Sequence, residues 1–340
     1  MKLTKVLTAL AAAAMIAVPL TAENGWNFGV SVDMAEYPDF TEVEVPAYGF
    51  VYAPISGAYN GLEGRVNLTA NYTIATPLGD NWLVSGANVV LGGKAEITPV
   101  SINLCSSATF TPVPFLVFSA GAQIGEGWDI GDVFTCGMSK YNTSTYEYES
   151  LTGQSFFYKG WAQATFQFDV GALVPGDWTH VQMMASYQAY YESLFGLNPG
   201  DIWAWNCSGN RLVAPKEYTN IILAYAMPAV PVLSRVGVVV ETDRYYYCPG
   251  YNGASVALDE DLYKCTMPEI NVSPMAQLTI TPKDSMTVLF NFCFKRGYDS
   301  NSQNAKNDDG DHYSYPESML VTTGYLGYFK RIAIQYSHQI

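Results

Sequence analysis

Few residues in this sequence have types and spacing that could do chemistry. There are three histidines: His180 just after a turn-like segment, His312 in an acidic stretch, and His338 near the C-terminus. No Ser/His/Asp arrangement stands out and no G-x-S-x-G occurs, so each histidine reads as a surface or interface residue. "NAKNDDGDH" (304–312) offers Asp308, Asp309 and Asp311 as hard oxygen ligands for Ca²⁺, but no Glu completes a twelve-residue loop. That stretch and "LDEDLY" (258–263) read as solvated acidic loops, and no metal is expected. A two-carboxylate glycosidase would need a cleft that the sequence does not locate. The expectation is a protein that is not an enzyme and carries no cofactor.

The six cysteines show no C-x-x-C pair and no His/Cys cluster, which argues against zinc. Cys248 and Cys265 bracket one loop-like segment and would close a ring of roughly 18 residues, worth ~3 kcal/mol by loop entropy. Cys136 with Cys207, in two other loop-like segments, is a second expected pairing. Cys105 and Cys293 fall in strand-like runs.

Disulfides need an oxidising compartment, and the first residues point to one. "MKLTKVLTALAAAAMIAVPLTA" has a positive start at Lys2 and Lys5, a short apolar core from Val6 to Val18, and Pro19 and Ala22 near a cleavage site. Residues 1–22 are read as a secretory signal peptide and 23–340 as the mature domain. Removing 1–22 takes away two lysines and no acid, so the net charge moves from −14 to −16. Such a surface repels nucleic acid and attracts cations. Only 14% of residues are charged, against about a quarter in soluble domains, and aromatics also reach 14%. No later segment offers the ~18 consecutive apolar residues of a spanning helix.

What positions these residues is a period of two. From Leu62, the residues Leu62, Gly64, Val66, Leu68, Ala70, Tyr72 and Ile74 alternate with Glu63, Arg65, Asn67, Thr69, Asn71 and Thr73. One face is greasy and the other wet. Gln163, Gln167 and Asp169 alternate with Ala162, Ala164, Phe166 and Phe168. Gln182 alternates with Val181 and Met183. Arg235, Glu241 and Asp243 alternate with Val236, Val238 and Val240. Asn291 and Lys295 alternate with Phe290, Phe292 and Phe294. Candidate strands are 25–35, 62–75, 81–93, 95–108, 113–125, 156–173, 178–195, 217–228, 231–246, 267–281, 285–297 and a C-terminal one over 318–340. Across that last run only Lys330 breaks the alternation. The count is twelve, or fourteen if "VPAYGFVYAP" (45–54) pairs as well.

Short turn signals at 76–81, 174–178, 227–231 and 281–285 alternate with longer polar segments near 126–155, 196–216, 247–266 and 298–316. A soluble β-sandwich, with the greasy face inward, has no reason to segregate its loops by length. With its signal peptide, alternating strands, tight turns and long loops, the chain resembles the Gram-negative outer-membrane β-barrel class over most of residues 23–340. It departs from that class at its last residue, Ile340, where an aromatic is usual.

The resemblance implies an all-β antiparallel transmembrane barrel in the outer membrane, with short periplasmic turns and long extracellular loops. Outer-membrane lipid and the outer-membrane assembly machinery are the implied partners, and a homo-oligomer is possible in such a class. The wet face would line the lumen: Glu63, Arg65, Asn67, Asn71, Gln163, Gln167, Asp169, Gln182, Arg235, Glu241, Asp243, Asn291 and Lys295. The functional expectation is a porin-like channel for passive diffusion of small solutes, weakly cation-selective. The alternatives are a transporter of hydrophobic compounds, resembling the fatty-acid transporters and plugged by 34–61, and a non-conducting surface protein that binds partners through its loops.

Overall fold

Alternation over more than ten residues cannot satisfy its backbone alone, so each run must find a neighbour on both sides. In the computed structural model every long run does. The described residues are 23–37, 43–45, 49–51, 62–129, 137–142, 147–206, 208–247, 266–298 and 322–340. Twelve strands close a barrel: β1 (Gly25–Glu36), β2 (Leu62–Ala75), β3 (Asn88–Thr98), β4 (Ser101–Val113), β5 (Leu116–Gly127), β6 (Phe157–Asp169), β7 (Val181–Leu194), β8 (Lys216–Ala226), β9 (Leu233–Tyr245), β10 (Glu269–Thr279), β11 (Asp284–Tyr298) and β12 (Thr322–Gln339). Each pairs antiparallel with its sequence neighbours, and β1 closes on β12 from Gly29↔Gln339 to Glu36↔Ile332. Closure removes the unpaired edges, which is what lets a sheet sit in hydrocarbon.

The connections segregate by end. Segments 76–87, 114–115, 170–180, 227–232 and 280–283 lie at one end, with both termini of the barrel. At the other end the strands are joined by the longer stretches of sequence 37–61, 128–156, 195–215, 246–268 and 299–321 and by one tight turn at 99–100.

Three sequence expectations are corrected. Strands β3 and β4 lie five to seven residues later in the chain than the runs 81–93 and 95–108, because the turn falls at Pro99–Val100. "GGK" at 92–94 looks like a turn but continues β3, and the side chains of Asn71 and Ser107 fill the space above Gly92. Val43–Val45 and Gly49–Val51 pair only with each other and do not enter the barrel. The alternation of the last strand is reset by a bulge. Asn291 pairs with Arg331 but Phe292 pairs with Phe329, so Lys330 is the extra residue. Lys330 and Arg331 are consecutive yet both buried inside.

Greasy residues face out. Leu68 is 46% exposed, Leu104 and Ile124 55% and Ile221 53%, whereas Arg65 and Asn67 between them are 4% exposed. Outward aromatics gather at both ends of this band. Trp26 stacks on Phe28 at 5.7 Å and tilts against Tyr72 at the short-turn end. At the other end Phe156 stacks on Phe195 at 4.9 Å, and Phe292, Phe294 and Tyr325 are exposed. An apolar belt between aromatic girdles is the exterior of a membrane-spanning barrel.

The long-loop end carries a second sheet of four strands in the order Ser208–Leu212, Ile202–Trp205, Met138–Asn142, Glu147–Ser150. Its apolar face, with Met138, Trp203 and Trp205, packs with Phe157 and Leu194 of the barrel and with Val213. Phe157 and Trp205 stack at 4.6 Å.

Candidate functional site: the barrel interior

Cross-strand register decides which polar side chains meet inside. Asp33 is directly opposite Arg65, and Asn67 is opposite Glu96. Arg65 therefore reaches diagonally as well as straight across: its Nη1 lies 2.6 Å from Glu96 Oε2 and its Nε 3.3 Å from Asp33 Oδ2. Lys94 Nζ donates to Glu96 at 3.1 Å, Asn103 donates to Glu96 at 3.1 Å, and Gln335 donates to Asp33 at 2.7 Å. Asn67 also donates to Asp33. Two acids and two bases balance here, tying β12, β1, β2, β3 and β4 together.

A second cluster lies under the loop sheet. Lys216 Nζ is 2.9 Å from Asp243 and 3.9 Å from Glu192. Arg211, carried by the loop sheet, places Nη1 3.6 Å from Glu192 and its guanidinium 5.0 Å from the Trp203 ring centroid. Tyr190 donates to Asp243 at 2.6 Å, and Tyr245 accepts from the Leu212 N–H at 2.9 Å. The loop sheet is thus tied into the barrel by an ion pair and a backbone bond. Of the consecutive Tyr245, Tyr246 and Tyr247, the first belongs to the interior and the other two are exposed.

A third set centres on the bulge. Lys330 Nζ lies 3.0 Å from Glu269 and 3.1 Å from Asn271 Oδ1. Arg331 donates to Tyr37 Oη at 2.6 Å and lies 3.6 Å from Glu63. Toward the short-turn end Asp169 accepts from Gln182 at 3.0 Å, faces His180 Nδ1 at 3.1 Å and accepts from the Gly171 N–H at 2.8 Å. Between these sets an apolar layer of Ala35, Met184, Ile222, Val239, Met275, Leu289 and Ala333 lines β7 to β12 and β1.

All thirteen residues singled out for the wet face occupy inward positions of the register, but not one ring. Arg65, Asn67, Gln167, Gln182, Glu241 and Asn291 are buried; Glu63, Asn71, Gln163, Asp169, Arg235, Asp243 and Lys295 are half-buried. Glu241 accepts from Tyr218, Asn291 donates to Ser273 at 2.8 Å, and Gln163 accepts from Gln188 at 3.0 Å. Lys295 Nζ lies 5.3 Å from the Tyr328 ring centroid.

The sequence reading missed Asp33, Lys94, Glu96, Lys159, Glu192, Lys216, Glu269, Lys330 and Arg331 on the same inward positions. Lys94 and Glu96 were hidden by the misplaced turn, Lys330 and Arg331 by the bulge. Lys159 and Glu192 share the wet parity of Gln163 and Gln188 and could have been found by extending those runs. With them included, the inward acids Asp33, Glu63, Glu96, Asp169, Glu192, Glu241, Asp243 and Glu269 are matched one for one by Arg65, Lys94, Lys159, Lys216, Arg235, Lys295, Lys330 and Arg331.

Solvent access is uneven. Inward residues at mid-height on β2 to β6 (Asn71, Gly92, Ser107, Ser119, Gly121, Gln163) are partly open, whereas Asn220, Ser273, Leu289 and Asn291 on β8, β10 and β11 are closed to solvent. The partly open positions fall on one side of the barrel, where most of these side chains are small.

Cys105 and Cys293 occupy inward positions, and the Cys293 thiol donates to Glu269 at 3.6 Å. Cys136, Cys207, Cys248 and Cys265, the acidic stretches 258–263 and 304–312, and residues 1–22 lie outside the described residues. Among the described residues no group of three or more His, Cys, Asp or Glu side chains is placed to hold a metal.

A closed twelve-strand meander, apolar and girdled outside and ionic inside, makes this an outer-membrane β-barrel protein. Among solved structures it is similar to an outer membrane channel from Pseudomonas putida F1 (TM-score 0.46, 9% identity, 94% of this chain and 97% of that one). It is also similar to the translocator domain of the autotransporter NalP from Neisseria meningitidis (TM-score 0.35, 9% identity, 99% and 97%). A third is the β domain of the Bordetella autotransporter BrkA (TM-score 0.40, 6% identity, 93% and 100%). No protein-family model matches the sequence, and no curated protein matches it.

Proposed function

We propose that the protein is a passive outer-membrane channel for small polar solutes. The observation that supports this is the uneven interior at mid-height: Asn71, Gly92, Ser107, Ser119, Gly121 and Gln163 on β2 to β6 are partly open to solvent, while Asn220, Ser273, Leu289 and Asn291 on β8, β10 and β11 are closed. A polar groove along one wall offers solutes a hydrated path, and the ionic clusters hold the remaining side chains out of it. Because the inward charges of the described strands balance, a weak cation preference would arise at the mouth, where the acidic stretches 258–263 and 304–312 belong to the long-loop segments. Reconstitution in planar bilayers tests the reading. Discrete, ohmic conductance steps are expected, and a silent barrel that is demonstrably folded would overturn it.

The loop sheet favours a second reading, a surface protein that presents this sheet to a partner. Trp203, Trp205 and Met138 hold it rigidly on the barrel, which is more order than a passive channel needs at its mouth. The silent outcome in bilayers would select this reading.

A further inference from the structure

We propose that the open wall holds a binding site for small aromatic carboxylates at Lys159; the site lies on the path proposed above and rests on that reading.

Four inward residues stand in one cross-strand row. Lys94 on β3 pairs with Cys105 on β4, Cys105 with Gln123 on β5, and Gln123 with Lys159 on β6. The two lysines are three strand spacings apart, about 14 Å at the backbone. Lys94 Nζ is already engaged by Glu96 at 3.1 Å, so Lys159 is the ammonium left to meet a ligand.

Among the described residues Lys159 has no carboxylate to itself. Its directly paired residue is Glu192, but Glu192 is engaged by Arg211 at 3.6 Å and Lys216 at 3.9 Å, and Asp243 by Lys216 at 2.9 Å. Among the described residues no carboxylate oxygen lies within 4 Å of Lys159 Nζ. Instead it rests over the Tyr190 ring at 4.3 Å and near the Trp161 ring at 6.0 Å. Aromatic faces are a partial substitute for a carboxylate, and an ammonium so placed gains from an arriving anion.

The next row toward the short-turn end sets the shape. Gly92, Ser107 and Gly121 pair in order, and Gly121 pairs with Trp161. A Cβ on Gly121 would lie 2.3 Å from the Trp161 ring, so the indole lies across β5 where a side chain would otherwise stand. The result is a flat aromatic flank beside small residues, one row from the Lys159 ammonium and the Gln123 amide. A carboxylate would sit at Lys159 while its ring lies along Trp161. Chloride or acetate lacks the ring, and benzamide lacks the charge.

Isothermal titration of benzoate into the purified full-length barrel in detergent tests the site. Wild type should bind benzoate, with benzamide and acetate at least tenfold weaker. Lys159→Gln should lose at least tenfold in affinity while Lys159→Arg stays within a few-fold of wild type, both with unchanged β-sheet circular dichroism. Equal binding by Lys159→Gln, equal binding of benzamide, or no benzoate binding by wild type overturns the site. The titration needs no conduction. Binding by a barrel that is silent in bilayers therefore removes only the channel reading, and conduction without binding removes only the site.

Discussion

Arg65 makes its shorter contact not with Asp33, its direct cross-strand partner, but with Glu96 one strand further round, 2.6 Å against 3.3 Å. All three side chains are about 2% exposed. A guanidinium shared between two buried carboxylates stitches three consecutive strands. Removing one member of such a set strands a charge in a medium that solvates it poorly, which costs on the order of 3–5 kcal/mol. Arg65→Met should lower unfolding stability by about that amount in urea titrations of the barrel in lipid vesicles. Adding Glu96→Gln should recover part of the loss, because one of the two stranded charges disappears with it. An unchanged midpoint in Arg65→Met would show that Asp33 and Glu96 are solvated without it.

The bulge at Lys330 makes a sharper test of register. Deleting Lys330 restores strict alternation and leaves every other residue of β12 on its own face, so only the contacts to Glu269 and Asn271 are lost. That deletion should still assemble, and heat-modifiable migration on gels should persist. Deleting Phe329 instead turns Lys330 toward lipid, at about 2–4 kcal/mol near the bilayer midplane. It should assemble poorly, and equal assembly of the two deletions would remove the bulge assignment.

Much of this was legible in the sequence because a barrel writes its two solvents into alternate positions. Leu68 and Asn67 declare their faces without any structure. The strand count also followed, since turns and loops differ so much in composition. What was not legible lay where alternation stops being a local property. Gly92 and Gly93 resemble a turn until it is known that Asn71 and Ser107 fill the space beside Gly92. Lys330 looks like a flaw in a strand until its partner shows one residue where β12 has two. The diagonal from Arg65 to Glu96 depends on the stagger between strands, which no single-strand pattern encodes.

Glycines on the two faces should respond oppositely to an added methyl. On Gly237 a Cβ would lie 2.6 Å from the Leu223 carbonyl oxygen and 2.8 Å from Ala224 Cα, backbone atoms that cannot swing away. Gly237→Ala should cost about 1–3 kcal/mol as overpacking. Gly160 faces outward with nothing within 4 Å of that position, so Gly160→Ala should be neutral or slightly stabilising. Urea midpoints of the pair check this, and equal shifts would contradict the inward placement of Gly237.

Orientation follows from the segregation of connections. Asn304 lies in a long-loop segment and Gly176 in a short one. An epitope inserted at Asn304 should be labelled on intact cells, and one at Gly176 only after permeabilisation. Labelling of Gly176 alone would invert the barrel.

Ion preference separates the mouth from the wall. The inward charges of the described strands balance, so they impose no net field along the path, while the chain as a whole carries −14. The excess must act from outside the barrel wall, largely from the acidic loop stretches such as 304–312. A field of that origin concentrates cations at the entrance and is screened within about a Debye length, ~10 Å at 0.1 M. Reversal potentials across a KCl gradient should therefore show weak cation preference at low salt that fades as ionic strength rises. Benzoate, seated beside Lys159 and Trp161, should reduce the current in proportion to its binding, and Lys159→Gln should abolish that reduction while leaving the KCl reversal potential within a few millivolts of wild type. A cation preference that persists undiminished at 1 M salt would place its source inside the barrel, among groups that screening does not reach.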